Sequence, residues 1–167
     1  MKMRNCMKMR NRIMPKTELT TMVMIENPAT GEVLVQDRLL SWKGLSFPGG
    51  HVDDGESVYD CAVREVLEET GLAVRDLKPC GMVHWCNLDT RDRYFVFLFK
   101  TQTYSGTLIP EMEEGRHAWM SLEALRRGKC SPYLDQYLPL FLEEKHSEVF
   151  GPWREGEDRE LEYKGGA

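Results

Sequence analysis

Residues 50–72 read GHVDDGESVYDCAVREVLEETGL and form the most informative stretch of the chain. The composition from residue 57 to residue 70 predicts an α-helix. Ser57 or Asp54 can act as its N-cap, because a side-chain oxygen at that position accepts a hydrogen bond from a free N–H group of the first turn. Gly71 is expected to end the helix, because glycine adopts the left-handed conformation at little cost.

Three glutamates share one face of this predicted helix. With about 100° per residue, Glu65, Glu68 and Glu69 fall within an arc of about 100°. Carboxylates this close repel each other, so the arrangement costs stability unless a cation lies among them. Their oxygens suit Mg²⁺ or Mn²⁺, which bind through a few carboxylates and the phosphates of a substrate. Taken alone, the trio is more typical of a solvated acidic helix face.

The surrounding residues complete a longer pattern. Gly50 is followed after five residues by Glu56, and seven residues later come Arg64 and Glu65. The pattern then continues with two aliphatic positions, two glutamates and a glycine: Val66, Glu68, Glu69, Gly71 and Leu72. From average composition, the chance of this match is on the order of 10⁻⁹ per starting position. The stretch resembles the Nudix box with every defining position filled.

Resemblance to the Nudix hydrolases implies an α/β fold, a Nudix-type α/β/α sandwich with a mixed β-sheet, and hydrolysis of a nucleoside diphosphate linked to another group. It implies a Mg²⁺ site, with Mn²⁺ as an alternative, formed by three carboxylates and one backbone carbonyl: Glu65, Glu68, Glu69 and Gly49. It also implies that Glu56 pairs with Arg64 and holds the helix against the preceding loop. Metal ions polarise phosphoryl oxygens and lower the pKa of an attacking water, whose proton Glu65 is the first candidate to take.

Further candidate residues lie outside the box. Several Nudix members need an additional acid from a later loop, and here Glu114 is the first candidate metal ligand and Glu113 the second, with an exposed acidic turn as the alternative. Arg38 ends a predicted strand, where nucleotide-pool-cleaning members tend to keep a phosphate-binding arginine. Trp42 and Lys43 follow in the adjoining loop, in reach of a base and a phosphate, although Trp42 would also serve as a loop anchor.

Trp85 and Asn87 are the remaining candidates for substrate binding. They lie on one side of an alternating stretch and would offer a purine a stacking surface and a bidentate amide. Packing of Trp85 in the core is the alternative. The wider pattern, including SFPGGHVDDGES at residues 46–57 and the later EEGRHAWMSL, is similar to bacterial MutT-type members described as 8-oxo-dGTP diphosphatases. This similarity implies cleavage of oxidised dGTP to monophosphate and pyrophosphate; hydrolysis of another nucleoside diphosphate derivative and non-catalytic nucleotide sensing are the alternatives.

The charge distribution argues against binding to a nucleic-acid polymer. The chain has 22 basic and 27 acidic side chains, a formal net charge of −5. The first 16 residues contain six of the basic side chains and no acidic one, so residues 17–167 carry a net charge of −11. A protein that coats nucleic acid needs a basic surface to neutralise phosphates. A small nucleotide is the partner that the resemblance implies, and an acidic protein would need a metal cation to bind its phosphates.

One domain is expected from 167 residues, of which 41% are hydrophobic. We predict a Nudix domain over residues 17–150, a disordered N-terminal extension over residues 1–16 and a frayed, charged tail over residues 151–167. No apolar run approaches the roughly 18–20 residues that cross a membrane. Five cysteines, an odd number without a CxxC pair, indicate reduced thiols and a cytoplasmic location.

The two ends of the chain leave alternatives open. The N-terminal extension lacks an uninterrupted apolar segment, so a signal peptide is not expected. Either a true start at Met14 or a flexible phosphate-binding arm would explain its basic, methionine-rich composition. Near the other end, Phe150 and Trp153 are expected to anchor the tail to the body or to a second subunit, which makes a homodimer possible.

Outside the box, the sequence predicts two pairs of strands and two helices. Residues 19–26 and 32–37 read as a hairpin around the turn at residues 27–31. Residues 79–86 and 92–103 read as two further strands. Helices are expected after Ser121 and over residues 133–144, the second interrupted at Pro139.

Overall fold

The computed structural model describes residues 14–157 and 160–166, so residues 1–13 of the predicted extension lie outside it. The described part contains three helices: α1 (Val58–Thr70), α2 (Leu122–Arg127) and α3 (Leu134–Leu142). Its strands are β1 (Thr17–Ile25), β2 (Val33–Arg38), β3 (Gly44–Ser46), β4 (Leu72–Arg75), β5 (Lys78–Asn87), β6 (Arg93–Thr101), β7 (Thr103–Gly106), β8 (Glu111–Met112), β9 (Gly115–Met120), β10 (Glu148–Trp153) and β11 (Glu162–Lys164). None of these helices is both long enough and apolar enough to cross a bilayer.

The largest sheet is mixed, as predicted. Its strand order is β1-β6-β5-β10-β11; β6 runs parallel to β1 and antiparallel to β5, and β10 runs parallel to β5. A second, antiparallel sheet has the order β3-β2-β9-β8, and β4 pairs with β7. The α/β fold class is therefore confirmed.

Helices cover both faces of the large sheet because β1 is apolar on both sides. Val23 packs in one apolar cluster with Ala62 and Val66 of α1. The next residue, Met24, points to the opposite face, where a second cluster contains Phe141 of α3. Since successive side chains of a strand point to opposite faces, this alternation produces the α/β/α sandwich.

Helix α1 begins and ends as the sequence predicts. Ser57 is the N-cap, and its Oγ accepts a hydrogen bond of 3.1 Å from the backbone N–H of Asp60. Gly71 ends the helix with φ 76°, in the left-handed region. The predicted helix after Ser121 is also present, as α2.

Two predictions about local structure are wrong. The first two strands do not form a hairpin: β1 pairs with β6 along its whole length, β2 pairs with β3 and β9, and a single bridge joins Glu26 to Val33. The extensive pairing of β1 with β6 leaves β2 to the second sheet. Helix α3 is not interrupted at Pro139, which lies inside it. The apolar face of α3 is buried, and this packing compensates for the hydrogen bond that proline cannot donate.

The tail predicted after residue 150 also differs from the structure. Strand β10 continues to Trp153, and β11 pairs with β10 at the edge of the large sheet. Val149 is fully buried in the core. Backbone pairing and this burial hold the segment in place. Its composition alone is typical of a frayed terminus, because composition does not reveal the partner strands.

The contact between α3 and the second sheet gives a test of the packing. Phe141 is 1% exposed, and its ring meets that of Phe47 edge to face at 5.2 Å. We expect Phe141→Ala to lower the free energy of unfolding by about 3–5 kcal/mol, because the cavity is left unfilled. Leu40→Ala, at a side chain that is 63% exposed, should change it by less than about 0.5 kcal/mol. Urea titration of both variants measures the difference, and equal effects would contradict this packing.

Candidate active site

The loop that precedes α1 is held against β1 by its backbone. The N–H groups of Val23 and Thr21 donate to the carbonyls of Pro48 and Gly50, at 2.8 and 2.9 Å. Gly49 has φ 151°, and a Cβ at this position would overlap the carbonyl oxygen of Thr21. Glycine is therefore required here by both the backbone conformation and the close approach to β1.

Arg64 makes the two-pronged contact with Glu56 that the resemblance implies. Its Nε and Nη2 donate to Oε1 and Oε2 of Glu56, each at 2.8 Å. This pairing holds the pKa of the Glu56 carboxyl down at about 2, with a smaller contribution from the backbone N–H of Asp53. The contact also raises the pKa of Arg64. The predicted pairing, and with it the attachment of α1 to the loop, is confirmed.

The third nitrogen of the same guanidinium contacts two of the helix carboxylates. Arg64 Nη1 donates to Glu65 Oε1 at 2.8 Å and to Glu68 Oε2 at 3.1 Å. Nη2 also donates to the carbonyl of His51 at 3.1 Å. The guanidinium is thus a cation that offsets the repulsion between these carboxylates. The spacing of the glutamates in the sequence predicts that such a cation is needed.

Glu69 lies deeper than the other two glutamates. Its Oε2 accepts a hydrogen bond of 2.9 Å from the backbone N–H of Gly49. The pKa of Glu69 is raised to about 7, mainly by burial and in smaller part by the negative charge of Glu65, while the hydrogen bond from Gly49 and the charge of Arg38 act in the opposite direction. Burial also raises the pKa of Glu65. Ionising these carboxyls together is costly in this environment, and a bound cation would favour their charged form.

Glu114 approaches this group from the second sheet. Its negative charge adds to the upward shift in the pKa of both Glu65 and Glu69. The backbone carbonyl of Glu114 accepts a hydrogen bond of 3.0 Å from Leu39, which fixes the turn between β8 and β9 beside the end of β2. This electrostatic effect on Glu65 and Glu69 favours Glu114 as the additional acid.

The chemistry of these donors fits a hard divalent cation, although the described residues contain no preformed cluster of three metal ligands. The Arg64 contacts and the Gly49 contact each occupy carboxylate oxygens that would otherwise face one another. Gly50 leaves the space for Glu65: a Cβ there would lie 2.6 Å from Glu65 Oε1. Three carboxylates on one helix face, beside a backbone without side chains, suit an oxygen-rich metal site.

A cavity of about 440 Å³ opens next to this loop. Gly49, Gly50 and His51 form its border with the carboxylates. Its other walls carry aromatic rings, hydroxyl groups and one guanidinium: Trp42, Trp85, Tyr94, Tyr137, Trp153, Thr20, Thr21, Ser41, Ser46, Ser131 and Arg38. The size and the mixture of apolar walls with a few polar groups are typical of a small-molecule site.

The structure brings together most of the predicted substrate residues. Arg38, Trp42 and Trp85 line the cavity. Trp85 also packs in the hydrophobic core, so it belongs both to the cavity wall and to the core. Lys43 lines a neighbouring cavity that shares Arg38 with the first. Asn87 is a correction, because its Oδ1 accepts hydrogen bonds from the backbone of Asp89 and Thr90 and caps the β5–β6 turn instead of facing the cavity.

The sequence analysis missed several residues of the cavity wall. Tyr94, Tyr137 and Trp153 come from β6, α3 and β10, elements that are distant in sequence from the box. The signal that could have pointed to Trp153 is the alternation of side chains along residues 148–153. Val149 and Gly151 are buried, and Trp153 follows them at the same two-residue spacing.

An α/β/α sandwich in which a glycine-rich loop joins a carboxylate-bearing helix to an aromatic cavity is the architecture of a hydrolase for phosphorylated small molecules. The chain belongs to the Nudix family: the model of the NUDIX domain matches residues 16–156. It is a Nudix hydrolase, and members of this family generally use divalent metal ions and act on small nucleotides.

Three similar proteins illustrate the range of the family. The oxidized purine nucleoside triphosphate hydrolase of Mus musculus is 30% identical over 135 residues, which are 79% of this chain and 84% of that protein. The NAD-capped RNA hydrolase NudC of Pseudomonas aeruginosa is 38% identical over 95 residues, 53% of this chain and only 33% of that protein. The crystal structure of the MutT protein from Bacillus halodurans superposes with a TM-score of 0.68 at 20% identity, covering 88% of this chain and 96% of that one, which shows a shared fold.

The two adjacent glycines of the loop give a test of the site geometry. Gly50→Ala should leave the midpoint of thermal unfolding almost unchanged, because its new Cβ meets only the movable end of the Glu65 side chain. Gly49→Ala should lower the free energy of unfolding by at least about 2 kcal/mol, because its Cβ meets the backbone of β1 and its φ of 151° is strained for alanine. Calorimetry on both variants makes the comparison, and a larger loss for Gly50→Ala would contradict this geometry.

Proposed function

We propose that the chain is a metal-dependent nucleoside triphosphate pyrophosphohydrolase that cleaves oxidised (8-oxo) dGTP to monophosphate and pyrophosphate, and so cleans the nucleotide pool. The observation that carries this proposal is the continuity of the site: Gly49 and Gly50 border both the aromatic cavity and the helix carboxylates. A nucleotide with its base in the cavity would therefore extend its phosphates towards Glu65 and Glu69.

Mg²⁺, or Mn²⁺ in its place, would be held by Glu65, Glu68, Glu69 and Glu114, with the carbonyl of Gly49. When bound, the metal supplies charge for the phosphoryl oxygens and lowers the pKa of a bound water. Arg64 can release Glu65 and Glu68 without losing Glu56, because it uses Nη1 for the first two and Nε with Nη2 for the last. The helix would thus stay attached to the loop while its carboxylates change partner.

Glu65 would take the proton of the attacking water. Its carboxylate adjoins Gly50, which lines the cavity where the nucleotide would lie. Attack of the water oxygen on one phosphorus of the α–β bridge forms one P–O bond and breaks the bridging P–O bond, so monophosphate and pyrophosphate separate and the proton of the water goes to Glu65. Arg38 reaches the same cavity and would bind the phosphates, because a guanidinium matches phosphate oxygens in pairs.

The walls of the cavity support an aromatic base as the part of the substrate that enters it. Trp42 is 58% exposed at the mouth, and Trp85 is fixed in the wall by the hydrogen bond that its Nε1 donates to Tyr137 Oη at 3.0 Å. Hydroxyls of Ser46 and Ser131 provide groups that both donate and accept hydrogen bonds at the edge of a base. Among nucleoside triphosphates, oxidised purine nucleotides are the preferred candidates, because the mouse relative is named as a hydrolase of them.

The cellular setting is part of the same proposal. Cys61, Cys80, Cys86 and Cys130 are all free in the described part of the chain, which favours a reducing compartment such as the cytoplasm. The homodimer remains a prediction from the sequence. Trp153, one of the two residues expected to anchor the tail or a second subunit, lines the cavity of its own chain.

The first test is product analysis with Mg²⁺ and a panel of 8-oxo-dGTP, dGTP, dCTP, ATP, ADP-ribose and a diadenosine polyphosphate. We expect monophosphate and pyrophosphate to form fastest from 8-oxo-dGTP. Replacing two metal ligands in Glu68→Gln Glu69→Gln should lower kcat at least about a hundredfold, because charge stabilisation of the transition state is lost. Glu144→Gln, at an exposed position after α3, is the matched control and should keep full activity.

Other outcomes of the panel have distinct meanings. Equal turnover of all triphosphates would keep the pyrophosphohydrolase and reject the preference for oxidised dGTP. Fastest release of a monophosphate from ADP-ribose or the diadenosine compound would replace the substrate class. Binding without hydrolysis of any nucleotide would favour a sensor over an enzyme.

The base contact at Trp42 has its own test. Trp42→Ala should raise KM about 5- to 150-fold, because stacking of a base on an aromatic ring contributes about 1–3 kcal/mol. Leu40→Ala, in the same loop and 63% exposed, does not line the cavity and should leave KM unchanged. Equal KM values for the two variants would place the base elsewhere.

A further inference from the structure

A second cavity, of about 360 Å³, lies beside the first and shares one residue with it. Arg38 lines both cavities. The other residues around the second cavity are Asp37, Lys43, Gly44, Leu45 and Lys129. A ligand that reaches Arg38 from the aromatic cavity can therefore continue into this one.

The fold holds Lys129 beside Lys43 through backbone contacts. The N–H of Leu45 donates to the carbonyl of Lys129 at 2.9 Å, and Leu45 forms a bridge to Cys130. Gly44 permits this approach, since a Cβ there would lie 2.6 Å from the Lys129 carbonyl oxygen. The loop after α2 is thus attached to β3, and a lysine from each of the two segments faces the same cavity.

The residues that line this cavity carry more positive than negative charge. Arg38 is engaged by the protein, since it hydrogen-bonds Ser41 and its charge acts on Glu69, whereas the two lysines have no such contact in the described part of the chain. Arg38, Lys43 and Lys129 contribute three positive charges and Asp37 one negative charge, a formal excess of two. Among the described residues, neither lysine forms an ion pair or another electrostatic contact with a side chain. Cations that converge without a partner repel one another, and this happens in a chain whose net charge is −5. An anion in the cavity would relieve the repulsion.

The lining also limits what kind of anion fits. It contains no aromatic side chain on which a base would stack. A terminal phosphate, with its second pKa near 6, carries close to two negative charges at pH 7, whereas an internal phosphate carries one. A lining with net positive charge and two unpaired lysines therefore favours the terminal phosphate, which carries the larger negative charge.

We propose that Arg38, Lys43 and Lys129 form a subsite for the terminal phosphate of a nucleoside triphosphate. This inference rests on the proposed function, in which the base occupies the aromatic cavity. The subsite gives preference to triphosphates over diphosphates, because a diphosphate lacks the group that reaches Lys43 and Lys129. After cleavage it holds one end of the leaving pyrophosphate.

The test compares Lys129→Ala with Lys145→Ala in the full chain. Lys129 is exposed and only its backbone is used in the fold, so the substitution should not disturb folding. Lys145 is an exposed lysine paired with Glu143 at 3.1 Å, away from both cavities, and serves as the control. With Mg²⁺ present, Lys129→Ala should raise KM for 8-oxo-dGTP about tenfold and leave KM for 8-oxo-dGDP unchanged, because one charged contact to phosphate is lost. Lys129→Arg should retain most of the preference, and Lys145→Ala all of it.

Direct binding of inorganic pyrophosphate separates this inference from the proposed function. Calorimetric titration should show about tenfold weaker binding of pyrophosphate to Lys129→Ala and unchanged binding of the nucleoside monophosphate. If no nucleotide is hydrolysed and this difference in pyrophosphate binding persists, the subsite stands and the proposed function fails. If triphosphates are hydrolysed and Lys129→Ala changes neither KM nor pyrophosphate binding, or changes triphosphate and diphosphate equally, the subsite is rejected alone.

Discussion

The forked contact between Arg64 and Glu56 is the interaction on which the site depends. It joins α1 to the loop at residues 48–56, and that loop is in turn hydrogen-bonded to β1. Two of the guanidinium nitrogens serve this contact, so the third is left for Glu65 and Glu68. One residue therefore fixes the position of the helix and supplies the charge that lets its carboxylates lie close together. Structural attachment and preparation for a metal ion are achieved by different atoms of the same group.

The groups around the two cavities follow an order that matches the parts of a nucleotide. Aromatic rings surround one end, the helix carboxylates stand at the Gly49 border, and the unpaired cations lie beyond Arg38. Carboxylates repel phosphate unless a divalent cation intervenes, whereas the lysines attract it directly. A polyphosphate would thus be aligned by attraction at its far end and by a metal near the bond that breaks. This division explains how a chain of net charge −5 can accept a polyanion.

How much the sequence reveals depends on how local each feature is. The helix and its caps lie within residues 50–72 and follow from the local sequence pattern, and the structure agrees. The Glu56–Arg64 pair follows from the family resemblance that the same stretch carries, and the structure shows it too. The cavity wall is built from β5, β6, α3 and β10, whose pairing no local pattern encodes.

The same limit explains the errors at the ends of strands. The predicted hairpin of β1 and β2 is locally plausible, but β6 pairs with β1 along nine residues and the turn does not decide the partner. Asn87 follows the predicted alternation yet lies where the strand ends, and there an Asx-type turn takes its amide oxygen.

Strand β10 shows why the domain does not end at residue 150. A Cβ on Gly151 would overlap the ring of Trp85, so glycine at this position lets β10 lie directly against the indole. Trp85 is then held between β10 and α3, with its Nε1 bonded to Tyr137. Two residues further along, Trp153 reaches the same cavity. The segment that charge and composition assign to a loose tail thus completes the wall that would face the base, and the NUDIX match extends through it to residue 156. Strand β10, although distant in sequence from the box, is in this way as much a part of the candidate site as the helix that carries the carboxylates.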